Sequence, residues 1–135
     1  MAFFDWSDEL SVNIKEIDEQ HKQLVTMMNI LYDSMQAGEG NVVLGEILEG
    51  LVNYAVTHFA TEEQYMTKYH FPQYAKHKAE HTAFATKIDE LLQQYKVNPT
   101  ALSIETGRFL KEWWRNHIMG TDQLYGPFLN DNGVY

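Results

Sequence analysis

His58 and Glu62 stand four residues apart, and so do His77 and His81. In an α-helix, residues four apart lie on one face, about one turn above each other. Each pair therefore aims two coordinating groups at one point. The chemistry open to such groups is metal binding by nitrogen and oxygen, because the sequence has no cysteine to offer thiolate. Alone, the His58–Glu62 pair fits a surface contact equally well, and a lone histidine such as His21 fits a hydrogen-bonded core residue. Two imidazoles at His77 and His81 gain little from each other without a shared ligand. An inward carboxylate at Glu62 needs a partner to offset its desolvation.

Whether these groups meet depends on the elements that carry them. Turn signals divide the chain into an N-terminal arm, residues 1–17, and four helical segments. Asp18 is expected to cap a first helix over about residues 18–37, which the stretch AGEGN (Ala37 to Asn41) ends. A second helix is expected over about residues 42–69, closing before Pro72. A third, over about residues 72–96, takes Pro72 in its first turn. Asn98 and Pro99 open a fourth, over about residues 99–125, and a short tail follows. The apolar stripes include Ile17, Leu24, Met28 and Leu31 in the first segment, and Leu51, Tyr54 and Met66 in the second. Tyr74, Phe84, Ile88 and Leu91 form the third, and Leu102, Phe109, Leu110 and Trp113 the fourth. This predicts an all-α fold, an antiparallel up-down-up-down four-helix bundle, as a single domain over residues 1–135.

The histidines fill gaps in those stripes. His21 falls between Ile17 and Leu24, His58 and Glu62 between Tyr54 and Met66, His77 and His81 between Tyr74 and Phe84, and His117 one turn after Trp113. Five of the six histidines thus face inward from four helices, and His70 reads as a surface residue. Five imidazoles exceed what one zinc takes. Two metals bridged by carboxylates, about 3.5–4 Å apart, would use them all. Asp122 is a further candidate, but it lies about 140° from His117 on a regular helix. A π-bulge near Gly120 would align the two; otherwise Asp122 decorates a helix end.

Together these residues resemble the hemerythrin family, specifically its single-domain bacterial members. The resemblance rests on Trp6, IDEQHKQL around His21, HFATEE with His58 and Glu62, HKAEH with His77 and His81, and HIMGTD with His117 and Asp122. It covers almost the whole chain. It implies a non-haem di-iron centre, two iron ions with an oxo or hydroxo bridge, that binds dioxygen reversibly. By the same analogy His77, His81 and His117 would saturate one iron. His21 and His58 would hold the other and leave it open, with Glu62 and Asp122 bridging. Leu24, Phe59, Trp113 and Trp114 are expected to wall the oxygen pocket. The family pattern has an aliphatic residue three positions before the last histidine, where this chain has Trp114.

The expected function is that of an oxygen carrier or store, not an enzyme, delivering to an unidentified oxygen-consuming recipient. A di-iron oxidase or peroxide-consuming protein and an oxygen or redox sensor module are the competing classes. The formal charge of −9 argues against nucleic acid and anionic membranes as partners. The opening residues lack a signal-peptide pattern and no apolar run is long enough to span a bilayer, so a cytoplasmic location is expected.

Overall fold

A computed structural model describes residues 6–98 and 102–135. After a short 3₁₀ turn at Asp8–Leu10, the helices are α1 (Lys15–Gln36), α2 (Gly40–Lys68), α3 (Tyr74–Val97) and α4 (Leu102–Trp113). A π-helical segment, Trp114–Thr121, and α5 (Asp122–Asp131) continue α4 without a break. The result is an all-α four-helix bundle in which α4, the π segment and α5 make one rod. Among the described residues no helix is long and apolar enough to cross a membrane.

Three helix ends close by the same local chemistry. Gly38, His70 and Gly133 take positive φ values of 75°, 58° and 85°. In each case the next N–H reaches five residues back, as from Phe71 to the Met66 carbonyl at 2.8 Å and from Glu39 to that of Ser34 at 2.7 Å. This is the Schellman closure, which satisfies carbonyls left open at a helix end. His70 is therefore a turn residue, exposed to solvent. It occupies a left-handed position that glycine would hold with less strain.

Several boundaries differ from the sequence expectation. Helix α1 starts at Lys15, so Asp18 does not cap it from outside. Instead the Asp18 carboxylate accepts from the Val12 N–H at 2.9 Å and from the Ser11 hydroxyl, tying the arm back onto the first turn. Helix α2 runs from Gly40 to Lys68, against about 42–69. Pro72 lies before α3, not inside it, because Phe71 to Tyr74 form a turn closed by the Tyr74 N–H on the Phe71 carbonyl at 3.2 Å. Asn98 is the extended C-cap of α3, and the expected start of the fourth helix at Pro99 lies outside the described residues. The rod continues past Tyr125 to Asp131, because Tyr125 and Leu129 pack with Val12, Ile14 and Ile17 in an apolar cluster. Packing against the arm, not local propensity, extends the helix.

That cluster, which also holds Met66 and Phe71, closes one end of the bundle. The larger one, built from Leu24, Leu31, Leu48, Leu51, Phe84, Ile88, Leu110 and others, fills the rest. The two are the floor and ceiling of a layer that is polar.

Candidate metal centre

Ile17 belongs to one cluster and Leu24 to the other, with His21 between them on α1. The same alternation puts Glu62 between Phe59 and Met66 on α2, and His77 and His81 between Tyr74 and Phe84 on α3. On the rod, His117 and Asp122 fall between Trp113 and Tyr125. All seven residues, His21, His58, Glu62, His77, His81, His117 and Asp122, are buried to 2% exposure or less. One helical period on each element sets the layer's height, and the bundle turns every face inward.

The rod needs a local distortion to contribute two residues. The Asp122 N–H donates to the His117 carbonyl five residues back, the wider turn of a π-helix. That widening brings Asp122 under His117, so that His117 Nε2 lies 2.9 Å from Asp122 Oδ1.

The donor atoms converge from there. His58 Nε2 is 2.6 Å from Glu62 Oε1, and His21 Nε2 is 3.1 Å from Asp122 Oδ2. His77 Nε2 sits between the carboxylates, 3.0 Å from Asp122 Oδ1 and 3.4 Å from Glu62 Oε2. His81 Nε2 is 3.6 Å from Glu62 Oε1. These atoms form two overlapping groups: Glu62, His77, His81, His117 and Asp122, and His21, His58, Glu62 and Asp122. Within each group every ligand atom lies within 4.8 Å of the others.

The donors lie close together inside a closed core. Nε2 of His21, His77, His81 and His117 and both oxygens of Glu62 and of Asp122 are buried without a hydrogen-bond partner. Such a set is costly unless a cation satisfies it. The residues therefore fit a metal centre. With protons alone the set is divided. Burial works against charge on His77, but the close approach and negative charge of Asp122 and Glu62 overcome it and raise its pKa to about 9. At His81 burial wins, and the pKa falls to about 3. Burial likewise opposes charge on Glu62 and Asp122, yet the neighbouring imidazoles hold both carboxyls below their ordinary range. Metal ions release such protons when they bind.

Behind the donors lies a layer the sequence did not reveal. Nδ1 of His58 lies 2.6 Å from Oε1 of Gln20, Nδ1 of His81 2.9 Å from Oε2 of Glu63, and Nδ1 of His117 3.1 Å from Oε1 of Glu80. Each contact makes Nδ1 the donor and leaves Nε2 with a lone pair for a cation. Gln20 is itself held by its Nε2 donating to the Thr61 hydroxyl at 3.2 Å, and Glu80 accepts from the Thr121 hydroxyl at 2.9 Å. The proximity of Glu63 to Glu62 and of Glu80 to His81 in sequence is the only signal that could have found two of them.

The expected wall residues divide between the two groups. Phe59 stacks on His81 at 3.9 Å and 5°, and Trp113 on His117 at 4.0 Å and 14°, both against the three-histidine group. Trp114 stands edge-on to His21, with centroids 6.4 Å apart, and Leu24 lies one turn below His21, both on the two-histidine side. Two phenols also border the layer. The Tyr54 ring stacks on His58 at 5.0 Å and 16°, and the Tyr125 ring lies 5.3 Å from His77. Both hydroxyls are buried; that of Tyr54 meets no partner, whereas that of Tyr125 interacts with Glu62. Burial, then Glu62 and Asp122, push both phenol pKa values well above the ordinary value.

The model of the hemerythrin HHE cation-binding domain matches residues 12–129. The chain belongs to the hemerythrin family. Bacteriohemerythrin of Methylococcus capsulatus is 34% identical over 131 residues, spanning 96% of this chain and 99% of that protein. Bacteriohemerythrin of Stenotrophomonas maltophilia is 34% identical over 125 residues, 93% of this chain and 80% of that protein. The crystal structure of a wild-type hemerythrin superposes with a TM-score of 0.84 at 34% identity, covering 95% of this chain and 98% of that one. A leucine-to-tyrosine variant of hemerythrin gives 0.85 at 35% identity, covering 96% and 98%. The hemerythrin fold thus accounts for the bundle, and the His/Glu/Asp cluster for the family's cation-binding character.

Proposed function

We propose that this hemerythrin-family chain binds dioxygen reversibly at a non-haem di-iron centre and acts as an oxygen carrier or store. The observation that supports this reading is the sharing of Glu62 and Asp122 between the two ligand groups. His77, His81 and His117 would hold one iron, His21 and His58 the other, and the two carboxylates both. The second position has fewer imidazoles, which leaves room for a small ligand. Carboxylate bridges suit hard ions such as iron, and neutral imidazoles favour the reduced metal. Ferrous ions bound there would supply the electrons that reversible dioxygen binding needs.

The chain's own residues do the rest. Gln20, Glu63 and Glu80 lock three imidazoles in the tautomer that presents Nε2. Phe59 and Trp113 stack on His81 and His117 and fix their ring planes. Leu24 and Trp114 exclude water from the two-histidine side, where the ligand would sit. In this reading the site binds and releases a small ligand.

The test is the visible spectrum of the reduced, iron-loaded protein before air, after air and after oxygen removal, with iron measured per chain. A band that appears and disappears with oxygen, at two irons per chain, supports the proposal. One metal per chain, or a band that never reverses, removes it.

A further inference from the structure

We propose that Tyr54 is a ligand-selecting residue of the dioxygen pocket, its hydroxyl donating a hydrogen bond to the small ligand held beside His58. The inference rests on the dioxygen-binding reading above. In the sequence Tyr54 is one more member of the apolar stripe of α2. In the structure it is packed in the main apolar cluster, 6% exposed, with its ring stacked on His58. Its hydroxyl is sealed from solvent and meets no hydrogen-bond partner.

A buried donor without a partner is unfavourable, and native cores rarely keep one without a reason. Phenylalanine would fill the same space with no polar atom to satisfy. The position explains the exception. His58 belongs to the two-histidine group, the under-filled one, and Tyr54 lies one turn from it on the same face of α2. Leu24 and Trp114 make the remainder of that wall apolar. A single O–H in a dry wall favours ligands that gain negative charge or carry an acceptor atom over those that do not. Tyr125, the other buried phenol, interacts with Glu62 and lies by His77 in the group that three imidazoles already fill, and so lacks this role.

The experiment compares the iron-loaded wild type with Tyr54→Phe, using azide as the probe. Azide should bind about tenfold more weakly to the variant, the loss of one hydrogen bond to a charged ligand. In the wild type the azide stretch should shift between H₂O and D₂O, and in the variant it should not. The azide-free variant should melt no lower than the wild type, since an unpartnered donor has been removed. Equal azide affinities with equal isotope responses overturn the proposal. So does a lowered melting temperature without azide, which shows the hydroxyl bonded within the fold. If the wild type with two irons binds neither azide nor dioxygen, the functional reading itself fails, and the role of Tyr54 fails with it.

Discussion

Glu80 and His117 join two elements of the bundle: Oε1 of Glu80 on α3 lies 3.1 Å from Nδ1 of His117 on the π-helical segment. The same oxygen accepts from the Thr121 hydroxyl at 2.9 Å, so one carboxylate orients the imidazole and staples the distorted turn. Glu80→Ala should weaken metal binding by about 10–100-fold, the usual effect of losing an outer partner of a ligand. Glu80→Gln keeps an acceptor and should recover much of it. Competition against a chelator measures both. Equal affinity for Glu80→Ala and wild type would leave Glu80 with no part in the site.

His77 and His70 provide an internal contrast. His77 is buried between Asp122 and Glu62, while His70 is an exposed turn residue at φ 58°. His77→Ala should lose metal and lower stability together, because the ligand set and the core are one structure. His70→Gly should keep the metal and raise stability by roughly 0.5–1 kcal/mol, through relief of the left-handed backbone. Metal content and denaturant midpoints decide. Metal loss in the His70 variant would contradict the assignment of that residue to a turn.

Gly126 lies where α5 meets the arm, and a Cβ there would stand 2.7 Å from the Val12 carbonyl oxygen. Gly126→Ala should cost about 1–3 kcal/mol by overpacking against backbone. Gly107 is the control, since a Cβ there meets only Met35 Sδ at 3.7 Å. Gly107→Ala should stabilise by roughly 0.5–1 kcal/mol, the ordinary helical preference for alanine. Urea melts of both variants measure the difference in sign. A neutral Gly126→Ala would mean the arm shifts at no cost.

Trp114 stands edge-on to His21 and is 3% exposed. Trp114→Ala should cost roughly 3–5 kcal/mol in stability and admit water to the two-histidine side. The oxygenated band of the variant should then decay faster at unchanged iron content. Trp114→Phe keeps the side dry and should decay near the wild-type rate. Equal decay in all three proteins would reduce Trp114 to a packing residue.

Much of this was legible in the chain itself. The 3.6-residue period placed the histidines and Glu62 in line with core residues, and periodicity survives folding because a helix face is a local property. The five-residue gap from His117 to Asp122 left two readings open, a wider turn or an Asp122 at a helix end, and the structure has the wider turn at that point. Boundaries were less legible. Asp18 has the chemistry of a cap, yet it works from inside the helix, because the arm folds back to meet it. The fourth helix was expected to end near Tyr125, yet burial of Tyr125 and Leu129 against the arm carries it on to Asp131.

The tertiary structure alone decided which groups stand behind the donors. Gln20 reaches His58 from α1 to α2, Glu63 reaches His81 from α2 to α3, and Glu80 reaches His117 from α3 to the rod. Each contact crosses between helices, so it depends on their relative rotation and height, which no local spacing records. The unpartnered state of the Tyr54 hydroxyl is of the same kind. The sequence places an aromatic residue on an inward face; only the packing of its neighbours leaves the phenol without an acceptor. A helix period fixes direction within one element, whereas the partners of a polar atom are fixed by every element around it.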